Sequence, residues 1–326
     1  MCARILIALG GNAILKKGQR GEFDEQMRNV RGVCKQIVEI IKMGHEVVIT
    51  HGNGPQVGNI LLQNEIARDQ VPQMPLDVCV AESQGMLGYM ISQALQNELW
   101  RAGIKKPVVS VITRVLVDKN DPEFENPSKP IGRFYSKEEA EELMKLRGWK
   151  MKEDSGRGWR RVVPSPRPIA ILEGVTVKHL VDMGAIVIAA GGGGIPVVRD
   201  VNGELEGVEA VVDKDLASAK LAEVIKADIM LILTDVEKVA LNFGKPNQRF
   251  LDLMTVEDAI RYYEEGHFPP GSMGPKILAA IEFLRNGGKK VIISSIEKGV
   301  EALEGKTGTH IIPEASVSRT IALIGE

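Results

Sequence analysis

The chain has 326 residues, 44% hydrophobic and 26% charged, an ordinary globular balance that excludes a disordered, collagenous or coiled-coil protein. Lys and Arg number 41 against 43 Asp and Glu, a net charge of −2, so no basic field advertises nucleic acid. Three cysteines without CxxC spacing (Cys2, Cys34, Cys79) and five histidines without HExxH spacing argue against zinc sites and for a reducing compartment.

The run Arg4-Ile5-Leu6-Ile7-Ala8-Leu9 predicts a buried strand that stops at Gly10-Gly11-Asn12, too short for the h-region of about 7–15 residues in a secretory signal. Met27, Val30, Val33, Ile37, Ile40 and Ile41 recur at steps of three and four, which predicts a helix ended by Gly44. Glu46 to Thr50 reads as a second strand, Asp77 to Trp100 as a long helix stopped near Gly103, and Pro107 to Ile112 as a third strand. Within that helix the stripe of Met86, Leu87, Met90, Ile91 and Leu95 reads as packing. From about Asp118 to Pro168 the chain turns polar and rich in Pro, Gly and charge, with Tyr135, Trp149 and Trp159; this predicts an inserted subdomain with a helix near Lys137–Leu146.

Alternation then resumes. Helices over Val175–Met183, Asp215–Ile225 and Ile277–Leu284 precede strands at Ala185–Ala190, Ile229–Leu233 and Val291–Ser294. The uncharged run Ala185 to Val198 holds four glycines and falls short of the ~20 residues of a membrane span, so a soluble, cytoplasmic protein is expected. Short apolar strands alternating with helices predict the α/β class, a mostly parallel open sheet covered on both faces.

Three of these strands run into glycine clusters: Gly10-Gly11-Asn12, Gly52-Asn53-Gly54-Pro55 and Gly191 to Gly194. Each alone could be a tight turn. In a parallel sheet, however, all three loops converge at one edge, where ligands bind and where glycine lets backbone amides approach an anion. Gly52, Gly54 and Gly58 make GxGxxxG, one residue too long for a dinucleotide fingerprint, and Gly305-Lys306-Thr307 has Val300 where a P-loop needs glycine. Lys214 and Lys276 lie near expected helix starts, a placement that opposes the helix dipole unless an anion sits there. Arg157-Gly158-Trp159-Arg160-Arg161 is basic with an interleaved aromatic, which fits a solvated surface or a lobe patch attracting phosphate better than a nucleic-acid site.

These residues resemble the amino acid kinase family over essentially the whole chain. The likeness is carried by Ile7 to Ala13, Thr50 to Gly58, Lys129-Pro130-Ile131-Gly132, Glu153 to Pro166, Gly191 to Pro196, Val212 to Asp215, Leu233 to Val236 and Gly271 to Lys276. Many members carry a lysine two residues before the first Gly-Gly. Here that residue is Ala8, which suits the branch that phosphorylates carbamate, where Lys129 of the inserted lobe matches a compensating lysine. The resemblance implies a three-layer αβα sandwich with a protruding subdomain at 118–168, an acceptor half over 1–200, a nucleotide half over 201–326, and a homodimer without nucleic-acid or membrane partners.

The reaction so implied is reversible transfer between ATP and carbamate, giving ADP and carbamoyl phosphate. Carbamate is already an oxyanion and needs no strong base, so catalysis is expected to be positioning and charge neutralisation. Gly10, Gly11 and Asn12 are expected at the transferring phosphoryl group, and Gly52, Asn53 and Gly54 at carbamate or phosphoryl oxygens, with Gly191, Gly192, Gly193 and Gly194 adding amides. Lys129, Lys214 and Lys276 would neutralise phosphate charge, oriented by Asp215. Thr234, Asp235, Val236, Met273 and Gly274 would meet the nucleotide, with adenine near Thr234 to Gln248. Mg²⁺ would be held mainly by phosphates, with no protein ligand. Rival expectations are a kinase for another small carboxylate such as N-acetylglutamate, and a catalytically silent nucleotide-sensing module.

Overall fold

In the Arg4–Leu9 strand, Ile5, Ile7 and Leu9 enter one hydrophobic core while Leu6 and Ala8 enter another, and none is more than 2% exposed. A strand buried on both faces has no polar side, which is why its sequence shows no alternation. The computed structural model, which describes residues 2–154, 156 and 158–314, places it inside an eight-stranded sheet. The spatial order is Leu253–Thr255, Thr309–Ile312, Lys290–Ser295, Ile229–Thr234, Arg4–Leu9, Glu46–His51, Ile186–Ile188 and Val108–Ser110. The last six are parallel; Thr309–Ile312 turns antiparallel to Lys290–Ser295.

Helices Phe23–Lys42 and Leu76–Arg101 cover one face through Val30, Ile37, Leu87 and Ile91. Helices Gly174–Asp182, Lys214–Val224 and Met273–Arg285 cover the other through Val177, Leu221, Ile277 and Phe283. This is the three-layer αβα sandwich expected. Gly44, Gly103 and Gly184 follow helix ends at positive φ, the conformation that glycine adopts without strain. No helix among the described residues is long and apolar enough to cross a membrane.

The polar middle of the chain is more structured than its sequence suggests. Strands Arg114–Val117 and Pro168–Ile171 pair antiparallel and join Ile195–Arg199 and Leu205–Gly207 in a second sheet. Between them rises a lobe: strands Lys129–Tyr135, Trp159–Val163 and Met151–Glu153 form an antiparallel sheet with helix Lys137–Arg147. Its small core is Tyr135, Ala140, Trp149 and Met151. The expected helix is present, but the strands escaped prediction because a sheet packed on one face needs few apolar residues.

Two helix starts also move. The helix expected from Asp215 begins at Lys214, and the one expected from Ile277 begins at Met273, so Lys276 lies within the first turns rather than ahead of them. Pro275 fits there because an early helical position has no intrahelical acceptor for an amide.

Candidate active site

The carboxyl ends of Arg4–Leu9, Glu46–His51, Ile186–Ile188 and Ile229–Thr234 open at one edge of the sheet. Helix Lys214–Val224 starts there. Asp213 caps it, accepting from the amides of Asp215 at 2.8 Å and Leu216 at 3.3 Å. The cap sets Lys214 and Asp215 in the first turn. From the lobe, Lys129 Nζ donates to Asp213 Oδ2 at 2.7 Å. Lys214 donates to Asp215, and Lys276 Nζ reaches the other Asp215 oxygen at 3.2 Å and the Ser272 carbonyl at 3.3 Å.

Three ammonium groups from three separate segments therefore share two carboxylates, an excess of one positive charge at a helix N-terminus. Lys214 is 8% exposed and Asp215 3%. Burial pushes the Lys214 ammonium below the usual lysine range despite Asp215, with Lys276 adding to the effect. Burial works the same way on Lys276, but Asp215 and Asp213 outweigh it and hold that lysine above its usual range. Burial alone would raise both carboxyls. Lys129 chiefly holds Asp213 down, and Lys214 with Lys276 hold Asp215 down.

The cavity over this cluster is lined by Gly11, Gly52, Asn53, Gly54 and Gly192 as well as Lys129, Lys214, Asp215 and Lys276. The glycines do not all serve as amide donors. Gly10 donates its N–H to the Leu233 carbonyl at 2.8 Å and Gly52 donates to Leu9 at 3.1 Å, both extending the strand ladder. Gly11 faces open space, whereas Asn12 does not line the cavity. The side chain of Asn53 donates to Ser83 Oγ at 2.8 Å and packs against Gly192.

Of the four consecutive glycines Gly192 lines the cavity and Gly191, Gly193 and Gly194 stand behind it. Gly193 and Gly194 donate to Ala190 and Gly191 carbonyls within their own turn, at 3.0 and 3.1 Å. A Cβ on Gly191, Gly193 or Gly194 would strike the His51 ring, the Val212 carbonyl or the Val115 side chain. Burial pushes His51 down to about 4, so this imidazole is neutral, donating to the Gly52 carbonyl at 3.0 Å.

A second cavity, largely apolar, adjoins the first, and the two share Ser272 and Lys276. Thr234, Asp235, Val236 and Met273 line it. Gly274 does not: its amide donates to Pro269, and a Cβ there would lie 3.1 Å from that carbonyl. Sequence reasoning missed Asp213, Arg160, Gly271 and Ser272 in the polar cavity, and Phe268 and Pro269 in the apolar one. Asp213 carried a legible signal, an aspartate one residue before a helix. Arg160 was visible only as part of a basic patch, of which Arg157 lies outside the described residues. Its guanidinium donates twice to the Gly132 carbonyl, at 2.9 and 3.1 Å, and pairs with Asp154 at 3.3 Å.

Among the described residues no group of three or more His, Cys, Asp or Glu could hold a metal ion. The two aspartates lining the cavity, Asp213 and Asp215, are both engaged by lysines.

Comparison with known proteins follows the same lines. The amino acid kinase family matches residues 3–295. The carbamate kinase of Pyrococcus horikoshii is 58% identical over 315 residues, covering 96% of this chain and 100% of that relative. The carbamate kinase of Giardia lamblia bound to citric acid superposes with a TM-score of 0.92 at 46% identity, over 96% of this chain and 99% of that one. The same Giardia protein bound to AMP-PNP gives a TM-score of 0.87 at 47% identity, over the same shares.

Proposed function

The chain belongs to the amino acid kinase family, and on that premise we infer that it transfers a phosphoryl group reversibly between ATP and carbamate, giving ADP and carbamoyl phosphate. The observation that carries the reading is the pair of joined cavities: an apolar one of a kind that takes a nucleoside, opening at Lys276 onto a polar one ringed by three lysines. ATP and ADP are the nucleotide substrates. In this reading residues 201–326 hold the nucleotide, with Thr234, Asp235, Val236 and Met273 at its base or ribose, and residues 1–200 hold the acceptor.

The chemical difficulty is electrostatic, since an anion must approach a polyanion. Carbamate needs no deprotonation, and the neutral, buried His51 has no proton to take. Lys276 stands where the cavities meet and neutralises charge on the phosphates nearest the nucleoside. Lys214, backed by the helix dipole, faces the transferring group, while Lys129 descends from the lobe on the acceptor side. Asp215 aims Lys214 and Lys276 and Asp213 aims Lys129, so the ammonium groups are ordered before substrate arrives. Gly11 and Gly54 offer room and amides close to the reacting oxygens. When bound, Mg²⁺ supplies further charge neutralisation on the phosphates.

A homodimer also belongs to this reading, supported by the exposed face of helix Leu76–Arg101 beside the edge strand Val108–Ser110. The buried free thiols of Cys34 and Cys79 accord with a reducing compartment such as the cytoplasm.

The test supplies purified protein with ADP, Mg²⁺ and carbamoyl phosphate and follows ATP. ATP is expected from carbamoyl phosphate, and in the reverse direction carbamate is expected to be phosphorylated in preference to N-acetylglutamate. Lys129→Ala is expected to lower kcat by ~10²–10³ with the ADP KM unchanged. ATP formation only with another acyl phosphate would replace the acceptor, and a loss confined to ADP affinity would move Lys129 to the nucleotide.

A further inference from the structure

Helix Gly54–Ala67 leaves the phosphate cavity and runs beneath the lobe, which it meets through one row of residues at helical spacing: Gly54, Gly58, Leu61 and Glu65. Gly54 lies under Pro130 and Arg160. Gly58 lies so close to the lobe that a Cβ there would be 2.0 Å from the Gly132 nitrogen. Leu61 packs with Ile131 and Val163. At the far end Glu65, its side chain 10% exposed, accepts from Arg161 at 2.5 Å and from Arg147 at 3.5 Å. Both guanidinium groups also stand over the Trp149 ring, 4.5 and 5.5 Å from its centre, so Glu65 is tied into the lobe's own core.

Glu65 is nearly buried while Arg161 and Arg147 keep 24% and 36% exposure, and a partly exposed ion cluster of this kind contributes little to stability; its use is to fix geometry. The geometry at stake is legible in the lobe sheet. Arg161 pairs with Ile131, and two residues along the same ladder Val163 pairs with Lys129. Holding Arg161 therefore holds the strand from which Lys129 reaches Asp213. Glu65 itself lines no part of the phosphate cavity.

We propose that Glu65 is a positioning residue for acceptor-side chemistry: by anchoring Arg161 and Arg147 it fixes the lobe so that Lys129 stands over the phosphate cavity. The proposal rests on the role given to Lys129 above. A small misplacement of a charged group can cost orders of magnitude in rate, and partial release of the lobe a fraction of that.

The experiment measures steady-state kinetics in the ATP-forming direction for Glu65→Gln, Glu65→Asp, Lys129→Ala and the Glu65→Gln/Lys129→Ala double variant, with melting temperatures. Glu65→Gln is expected to lower kcat/KM for carbamoyl phosphate about ten-fold while leaving the ADP KM within about two-fold, and Glu65→Asp to recover part of the loss. The double variant is expected to be no slower than Lys129→Ala alone, since Glu65 acts through that lysine. Should Glu65→Gln fail to fold, Arg147→Gln removes only the outer partner and is expected to shift the same parameter about three-fold. Full activity in the folded variants, additive losses in the double variant, or equal losses toward ADP and carbamoyl phosphate overturn the proposal. Full turnover in Lys129→Ala instead overturns the role of the lysine, and the proposal with it.

Discussion

Lys214 is held between opposed pressures: burial and the neighbouring Lys276 work to remove its proton, while Asp215 works to keep it. The outcome is an ammonium that deprotonates below the usual lysine range, next to one in Lys276 that deprotonates above it. If Lys214 must be charged to meet the phosphoryl group, turnover falls on the alkaline side at a lower pH than an ordinary lysine would dictate. Lys214→Arg, whose guanidinium keeps its proton, is expected to move that limb of the kcat profile upward; an unmoved limb would assign the titration elsewhere. Lys214→Ala is expected to lose ~10²–10³ in kcat and stay folded, because Asp215 retains Lys276. The sign for stability follows from the depressed folded pKa. Between it and the unfolded value the unfolded chain holds the extra proton, so this residue's contribution rises with pH across that window and is lost as pH falls through the folded pKa. The sequence marked Lys214 and Lys276 through their helix starts, and Lys129 through its family motif alone. It did not mark Asp213 as their partner, because a helix read from Asp215 puts its cap at Lys214, one residue out of place.

At the level of elements, legibility followed burial. The central strands could be read because both faces are covered and most of their residues are apolar, whereas Lys129–Tyr135 sets a few buried residues among exposed ones and reads as loop. The Gly191–Gly194 turn shows the limit of glycine as a signal. Four glycines fit an anion cradle, yet at all four a Cβ would crowd other backbone or side chains. Two substitutions separate these roles. Gly192 has φ +62 and a Cβ there would lie 2.1 Å from the Asn53 amide nitrogen, so Gly192→Ala is expected to destabilise the fold by about 1–3 kcal/mol. Gly11 has nothing within 4 Å of its would-be Cβ. Gly11→Ala is therefore expected to melt like the wild type while losing turnover, its methyl group standing in the space given to the phosphoryl group. Thermal melting beside kcat decides both, and a Gly11→Ala enzyme at full speed would move the reacting group away from this turn.

At the scale of the whole molecule, the outer face of helix Leu76–Arg101 is left uncovered by the chain's own fold. Helix Leu76–Arg101 buries Leu87, Ile91 and Leu95 against the sheet, yet its outer face presents Met86, Tyr89 and Trp100, the last two 58% and 80% exposed. Beside it runs Val108–Ser110, the open edge of the eight-stranded sheet, followed by Ile112 at 49% exposure. Apolar side chains next to an open strand edge invite another chain, and in a two-fold pair the same patch covers itself. The inner face of the helix also supports the site. Ser83 receives the Asn53 amide, and Gln84 donates to the Gly191 and Thr113 carbonyls at 3.0 Å each. A partner covering the outer face would stiffen this support although each cavity is built from one chain. Tyr89→Glu is thus expected to halve the mass in sedimentation and to lower the melting temperature. Turnover at low protein concentration is expected to fall with it, whereas wild-type turnover per site holds until dilution separates the pair. A Tyr89→Glu protein that still sediments as two chains would place the contact on another face, and a wild type that sediments as one would remove the dimer.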